Sequence, residues 1–82
     1  PNPFKDVLNI SFEADKSTRY NLSLYNNIGR LVFNKDFVYN QSNVISYKLN
    51  LKENDLSLEN GFFICEIKSP TAIHRKKVIY IK

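Results

Sequence analysis

Apolar side chains recur at every second position through most of this chain. Leu8, Ile10 and Phe12 alternate with Asn9, Ser11 and Glu13. Tyr20, Leu22 and Leu24 alternate with Asn21 and Ser23. Ile45, Tyr47, Leu49 and Leu51 alternate with Ser46, Lys48 and Asn50. Successive side chains of an extended backbone point to opposite faces, so period two marks strands with one dry and one wet face. Continuous helical periodicity is nowhere evident. The chain is therefore expected to be all-β, with Asn21, Ser23, Ser46, Lys48 and Asn50 facing water.

Turn chemistry divides these runs. Asp15-Lys16-Ser17-Thr18, Asn40-Gln41-Ser42-Asn43 and Ser69-Pro70-Thr71-Ala72 are polar breaks, and Asn26-Asn27-Ile28-Gly29 and Asn60-Gly61 tolerate the positive φ of tight turns. Phe62 to Ile67 is apolar on both faces at its start, as an interior strand would be. Lys52 to Asn60 is polar except for Leu56 and Leu58; it reads as a crossing connection with one helical turn or a brief strand, its leucines plugging the core edge. Ile73 to Ile81 forms the last strand, and its pattern leaves open whether Val78 and Tyr80 or Ile79 and Ile81 point inward. Pro1 and Pro3 exclude helix and are expected to hold the lead-in away from the sheet ladder.

With 82 residues, the chain makes one domain, residues 1–82. At 43% hydrophobic it can fill one small core. So short a chain cannot cover both faces of one open sheet, so two packed antiparallel sheets are expected. No apolar stretch approaches the roughly 20 residues of a membrane-spanning helix. The abrupt start at Pro1, without an initiator methionine, leads us to expect the end of a longer protein.

The residues for catalysis are missing. His74 is the single histidine and Cys65 the single cysteine. Neither has the spacing of a nucleophile–base–acid set, and together they cannot complete a tetrahedral metal site. Two glycines are too few for a phosphate cradle. No catalytic residue, metal ligand or cofactor is expected. The net charge of +4 is scattered apart from Arg75-Lys76-Lys77. Most aromatics follow the core period, which argues against a stacking platform for nucleic acid.

Four pieces stand in a characteristic order: Pro1-Asn2-Pro3-Phe4, Gly29-Arg30-Leu31-Val32, Leu58-Glu59-Asn60-Gly61-Phe62-Phe63, and the terminal Lys76-Lys77-Val78-Ile79. Together they resemble the C-terminal sorting domain of proteins exported by the type IX (Por) secretion system of Bacteroidota. The resemblance covers the whole chain, with two departures: Phe63 stands where the family often has tyrosine, and Asn26 and Asn27 fill a turn that commonly carries Asp. It implies an immunoglobulin-like antiparallel β-sandwich of about seven strands. It also implies an export address that passes through the periplasm and is taken across the outer membrane to the cell surface or medium. A sortase-like peptidase would usually cut the domain off and attach the cargo to anionic lipopolysaccharide.

On that resemblance the residues expected to meet the translocon or the peptidase are Pro1, Asn2, Pro3, Gly29, Arg30, Gly61, Lys76, Lys77, Val78, Ile79, Tyr80, Ile81 and Lys82. If the last strand lies at a sheet edge it could accept a partner strand, and self-association through that edge stays open. Arg30 is expected to pair with a carboxylate across the sheet or to present its charge to the translocon. The rival reading is an extracellular immunoglobulin-like adhesion or carbohydrate-binding module, with Tyr25, Tyr39 or Tyr80 forming an aromatic platform.

Overall fold

The computed structural model describes residues 3–14, 18–39 and 43–82. Pro1, Asn2 and the turns expected at residues 15–17 and 40–42 lie outside the described residues. Six strands form among the described residues: β1 (Val7–Ala14), β2 (Thr18–Tyr25), β3 (Leu31–Tyr39), β4 (Asn43–Asn50), β5 (Gly61–Lys68) and β6 (Ile73–Tyr80). A two-stranded sheet, β1-β4, packs on a four-stranded sheet ordered β3-β2-β5-β6, and every pairing is antiparallel.

The core lies between the sheets. Leu8 faces Leu49 across the small sheet, and Leu24 faces Cys65 within the large one. Leu8, Leu22, Leu24 and Leu49 are fully enclosed. Aromatic rings close the two ends. Phe12, Tyr20, Phe37 and Tyr47 form one cluster with centroids 5.1 to 6.1 Å apart. At the other end Tyr80 packs against Phe4 at 5.2 Å and Phe63 at 6.4 Å, spacings at which ring quadrupoles attract.

Three expectations are corrected: the strand count, the course of the lead-in and the exposure of Ser23. About seven strands were expected and six form among the described residues. The stretch expected to give a helical turn or a brief strand forms the turn and not the strand: Asn54 N–H donates to the Asn50 carbonyl at 3.3 Å, Asp55 N–H to the Lys52 carbonyl at 3.2 Å and Leu56 N–H to the Leu51 carbonyl at 2.8 Å, Asn50 Oδ1 accepts from Glu53 N–H at 3.0 Å, and Asp55 takes a φ of 52°. This tight coil leaves no extended ladder, although Leu58 is buried and Leu56 packs on the core as expected.

The lead-in is not held away from the sheet. Phe4 N–H donates to the Ile79 carbonyl at 2.8 Å and the Phe4 carbonyl accepts from Ile81 N–H at 3.1 Å, a parallel bridge on the outer side of β6. Pro3 lacks a donor, but Phe4 has one together with a ring to bury, and that burial favours docking.

Ser23 is buried although its side chain lies on the outer face of the sheet. Its hydroxyl donates to Asn21 Oδ1 at 2.9 Å and accepts from Asn34 Nδ2 at 2.8 Å, while Asn21 Nδ2 donates to Asp36 Oδ1 at 2.7 Å. A polar network thus roofs the serine and satisfies it, so its burial costs little.

Candidate docking surface at the terminal strand

β6 is an edge strand, and its sequence splits it into two halves. Counting from the core-facing Val78 and Tyr80, the same face continues as Lys76 and His74. The apolar face therefore runs out halfway along the strand. Val78 and Tyr80 are buried in the core, which resolves the facing that the pattern left open. Their side chains hold the fold and are not presented outward. Ile79 lies on the opposite face, 40% exposed, next to Phe62 in register. Lys77 lies over the Phe62 ring at 4.6 Å, a cation–π contact. Arg75, rather than Arg30, makes the ion pair across the sheet: its Nε donates to Glu66 at 2.8 Å. Arg30 is exposed and joins no ion pair among the described residues.

Distant pieces of the chain meet at the Tyr80 end. Gly61 faces Tyr80 in register. Lys82 N–H donates to Asn60 Oδ1 at 2.8 Å, and Phe4 bridges Ile79 and Ile81. The 26–29 turn follows Tyr25, which faces Ile64, so it lies beside the start of β5. Asn26 Oδ1 accepts from Ile28 and Arg30 N–H at 3.1 and 2.9 Å, and Gly29 has a φ of 82° that a Cβ would strain. Pro3, Gly29, Arg30, Gly61 and residues 80–82 therefore gather at one end of the sandwich, while Lys76 and Lys77 stand further along β6.

A groove of about 850 Å³ opens where the charged half of β6 leaves the core. Leu8, Ile10 and Phe12 of β1 form one wall, Ile67 and Val78 the floor, and His74, Arg75, Lys76 and Glu13 the rim. Sequence reasoning placed the β1 residues only in the core and did not foresee the groove. The signal was present in the switch from Val78 and Tyr80 to His74 and Lys76 on one face.

Cys65 also borders this groove, with His74 and a carboxylate nearby. Burial pushes its thiol from the ordinary 9.0 to about 11, against a smaller downward pull from Lys76. A thiol with that pKa is almost wholly protonated at neutral pH and is a poor nucleophile. In register Cys65 faces Lys76, and His74 faces Ile67, so the two are not cross-strand partners. No group of three metal-binding side chains occurs among the described residues.

Native protein is expected to resist iodoacetamide at pH 8, whereas urea-unfolded protein reacts at once; mass spectrometry after a short exposure reads the difference. Because the folded pKa is raised, the thiol supports folding fully below pH 9.0, and that contribution is lost as pH rises to about 11.

The aromatic platform of the rival reading does not assemble around Tyr80, which is in the core. Tyr25 is half-buried on the outer sheet face, and the Tyr39 side chain lies outside the described residues. No helix is long and apolar enough to cross a membrane among the described residues.

Comparison with known proteins points in one direction. A family model described as "Secretion system C-terminal sorting domain" matches residues 1–82. Neither a curated protein nor a solved structure matches the chain.

Proposed function

The chain belongs to the family of secretion system C-terminal sorting domains, and on that footing we propose that machinery proteins read its folded surface while its cargo is in the periplasm. Its family is one of type IX sorting signals rather than of enzymes, and such a signal directs export across the outer membrane to the cell surface or medium. The observation that carries the reading is a family match that runs the length of the chain. The finer steps belong to the proposal. The translocon docks on the end where Gly29, Arg30, Gly61 and residues 80–82 gather. A sortase-like peptidase then cuts near Pro1, Asn2 and Pro3, and the cargo is joined to anionic lipopolysaccharide.

Two physical features support this reading. An address shared by many cargoes is best carried by shape and backbone, and an edge strand supplies both. The basic residues of β6 would speed encounter with an acidic partner.

The test fuses residues 1–82 to the end of a periplasmic reporter in a type IX-competent bacterium. The reporter should appear on the surface or in the medium, and mass spectrometry should find it without the domain. Reporter retained in the periplasm would overturn the sorting role. Exported reporter still carrying the domain would overturn the cleavage step alone.

A further inference from the structure

We propose that the groove between β1 and β6 receives an extended acidic segment of a partner protein, which adds to the edge of β6 as a further strand. The inference rests on the sorting role above and names the partner's element. Its geometry comes from the Phe4 bridge. The Ile79 carbonyl accepts from Phe4, so the Ile79 backbone faces away from β5. Backbone direction alternates along a strand, so Ile73 and Arg75 face the same way. Beyond them no strand follows β6 among the described residues. Phe4 closes this edge at Ile79 to Ile81, and among the described residues no bridge reaches Ile73 to Lys76 from that side, which is the stretch offered to a visitor. From Ile73 to Lys76 the edge spans about 10 Å at ~3.3 Å per residue, room for three or four residues.

The side chains specify what the visitor carries. Its inward residues would lie over Leu8, Ile10, Phe12 and Val78, so they must be apolar. Its outward residues would stand beside Arg75, so they should be acidic. The Arg75 side chain is 64% exposed and uses Nε for Glu66, which leaves its terminal nitrogens for a second carboxylate. Lys76 adds positive charge at the rim, with Glu13 the single carboxylate among the residues lining it. A second copy of this chain, at +4 and with the same basic strand, would be repelled. Charge therefore selects an acidic strand of alternating pattern over self-pairing.

The probe is a seven-residue peptide alternating glutamate and valine, titrated into isotopically labelled protein and followed by nuclear magnetic resonance. Saturable shifts are expected at the Ile73 and Arg75 amides and along residues 9–13. Replacing every glutamate of the peptide by lysine should weaken binding at least about tenfold, and so should the double change Arg75→Gln and Lys76→Gln. Ile73→Pro removes an outward donor at the first residue of an edge strand, where proline is tolerated. It should weaken binding similarly without moving the urea midpoint.

Absent saturation, shifts elsewhere, equal binding of the lysine peptide, or full binding by folded Ile73→Pro would each overturn the proposal. So would peptide-free dimers whose interface maps to the groove. The two readings separate in the reporter assay. Export by Ile73→Pro at the native level sinks the groove proposal and spares the sorting role, whereas failure of the native chain sinks the sorting role whatever the peptide does.

Discussion

Leu49→Ala is expected to remove a large part of this domain's stability. Leu49 is 0% exposed and faces Leu8, itself 1% exposed, across the two-stranded sheet. Truncating such a leucine costs about 2–5 kcal/mol, the lost transfer energy plus the cavity left behind. At roughly 0.05–0.15 kcal/mol per residue, a domain of this size has about 4–12 kcal/mol in total. The small sheet has only two strands, so few neighbours can move in to fill the gap. Urea unfolding should show a much lower midpoint with an unchanged slope, the mark of lost stability rather than an altered unfolded state. Ile28, 78% exposed in a turn, is the control: Ile28→Ala should change stability by no more than about 0.5 kcal/mol. Equal midpoints for the two variants would mean that the sheets do not enclose Leu49.

The second large effect separates the tail from the fold. Deleting Tyr80, Ile81 and Lys82 together would remove a core residue as well as two exposed ones, so failed export would carry no information about recognition. Tyr80→Ala is expected to destabilise the domain by about 3–5 kcal/mol, because its ring packs between Phe4 and Phe63. Deleting Ile81 and Lys82 alone removes the Ile81 bond to Phe4 and the Lys82 bond to Asn60. That loss should cost only about 1–3 kcal/mol, since each hydrogen bond contributes about 0.5–1.5 kcal/mol net. If the tail is read directly, the short deletion abolishes export while the domain remains folded by circular dichroism. Export that persists in the short deletion and fails only in Tyr80→Ala would show that the fold, and not the tail, is what the machinery reads.

The all-β class and the boundaries of β1, β2, β4, β5 and β6 followed from apolar patterning and turn residues, to within a residue or two. Asn26-Asn27-Ile28-Gly29 was legible as a turn because glycine at a φ of 82° is a local requirement. The same holds for Ser69, whose hydroxyl accepts from Ala72 N–H at 3.2 Å. Other features were not local. The inward facing of Val78 and Tyr80 depends on which side of β6 meets β5 and the opposite sheet. The docking of Phe4 depends on a partner 76 positions away in the chain, Tyr80. The burial of Ser23 depends on Asn34, a neighbour supplied by the next strand.

The residues proposed for the sorting site divide in the same way. The motifs from which they are proposed could be read along the chain, since their order carried the family resemblance. Their arrangement could not. Gly29, Arg30, Gly61 and residues 80–82 share one end only because β2 pairs with β5 and β5 with β6, two long-range registers that no local pattern encodes.

Taken alone, the chain determined its strands, its turns and the family to which it belongs, because alternation, glycine placement and motif order are properties of neighbouring residues. Tertiary structure alone decided which face of β6 is buried, that the lead-in joins the sheet, and that a basic-rimmed groove opens beside β1. Those features arise where strands distant in sequence are brought together, and the burial that favours one register over another is defined only once both partners are in place.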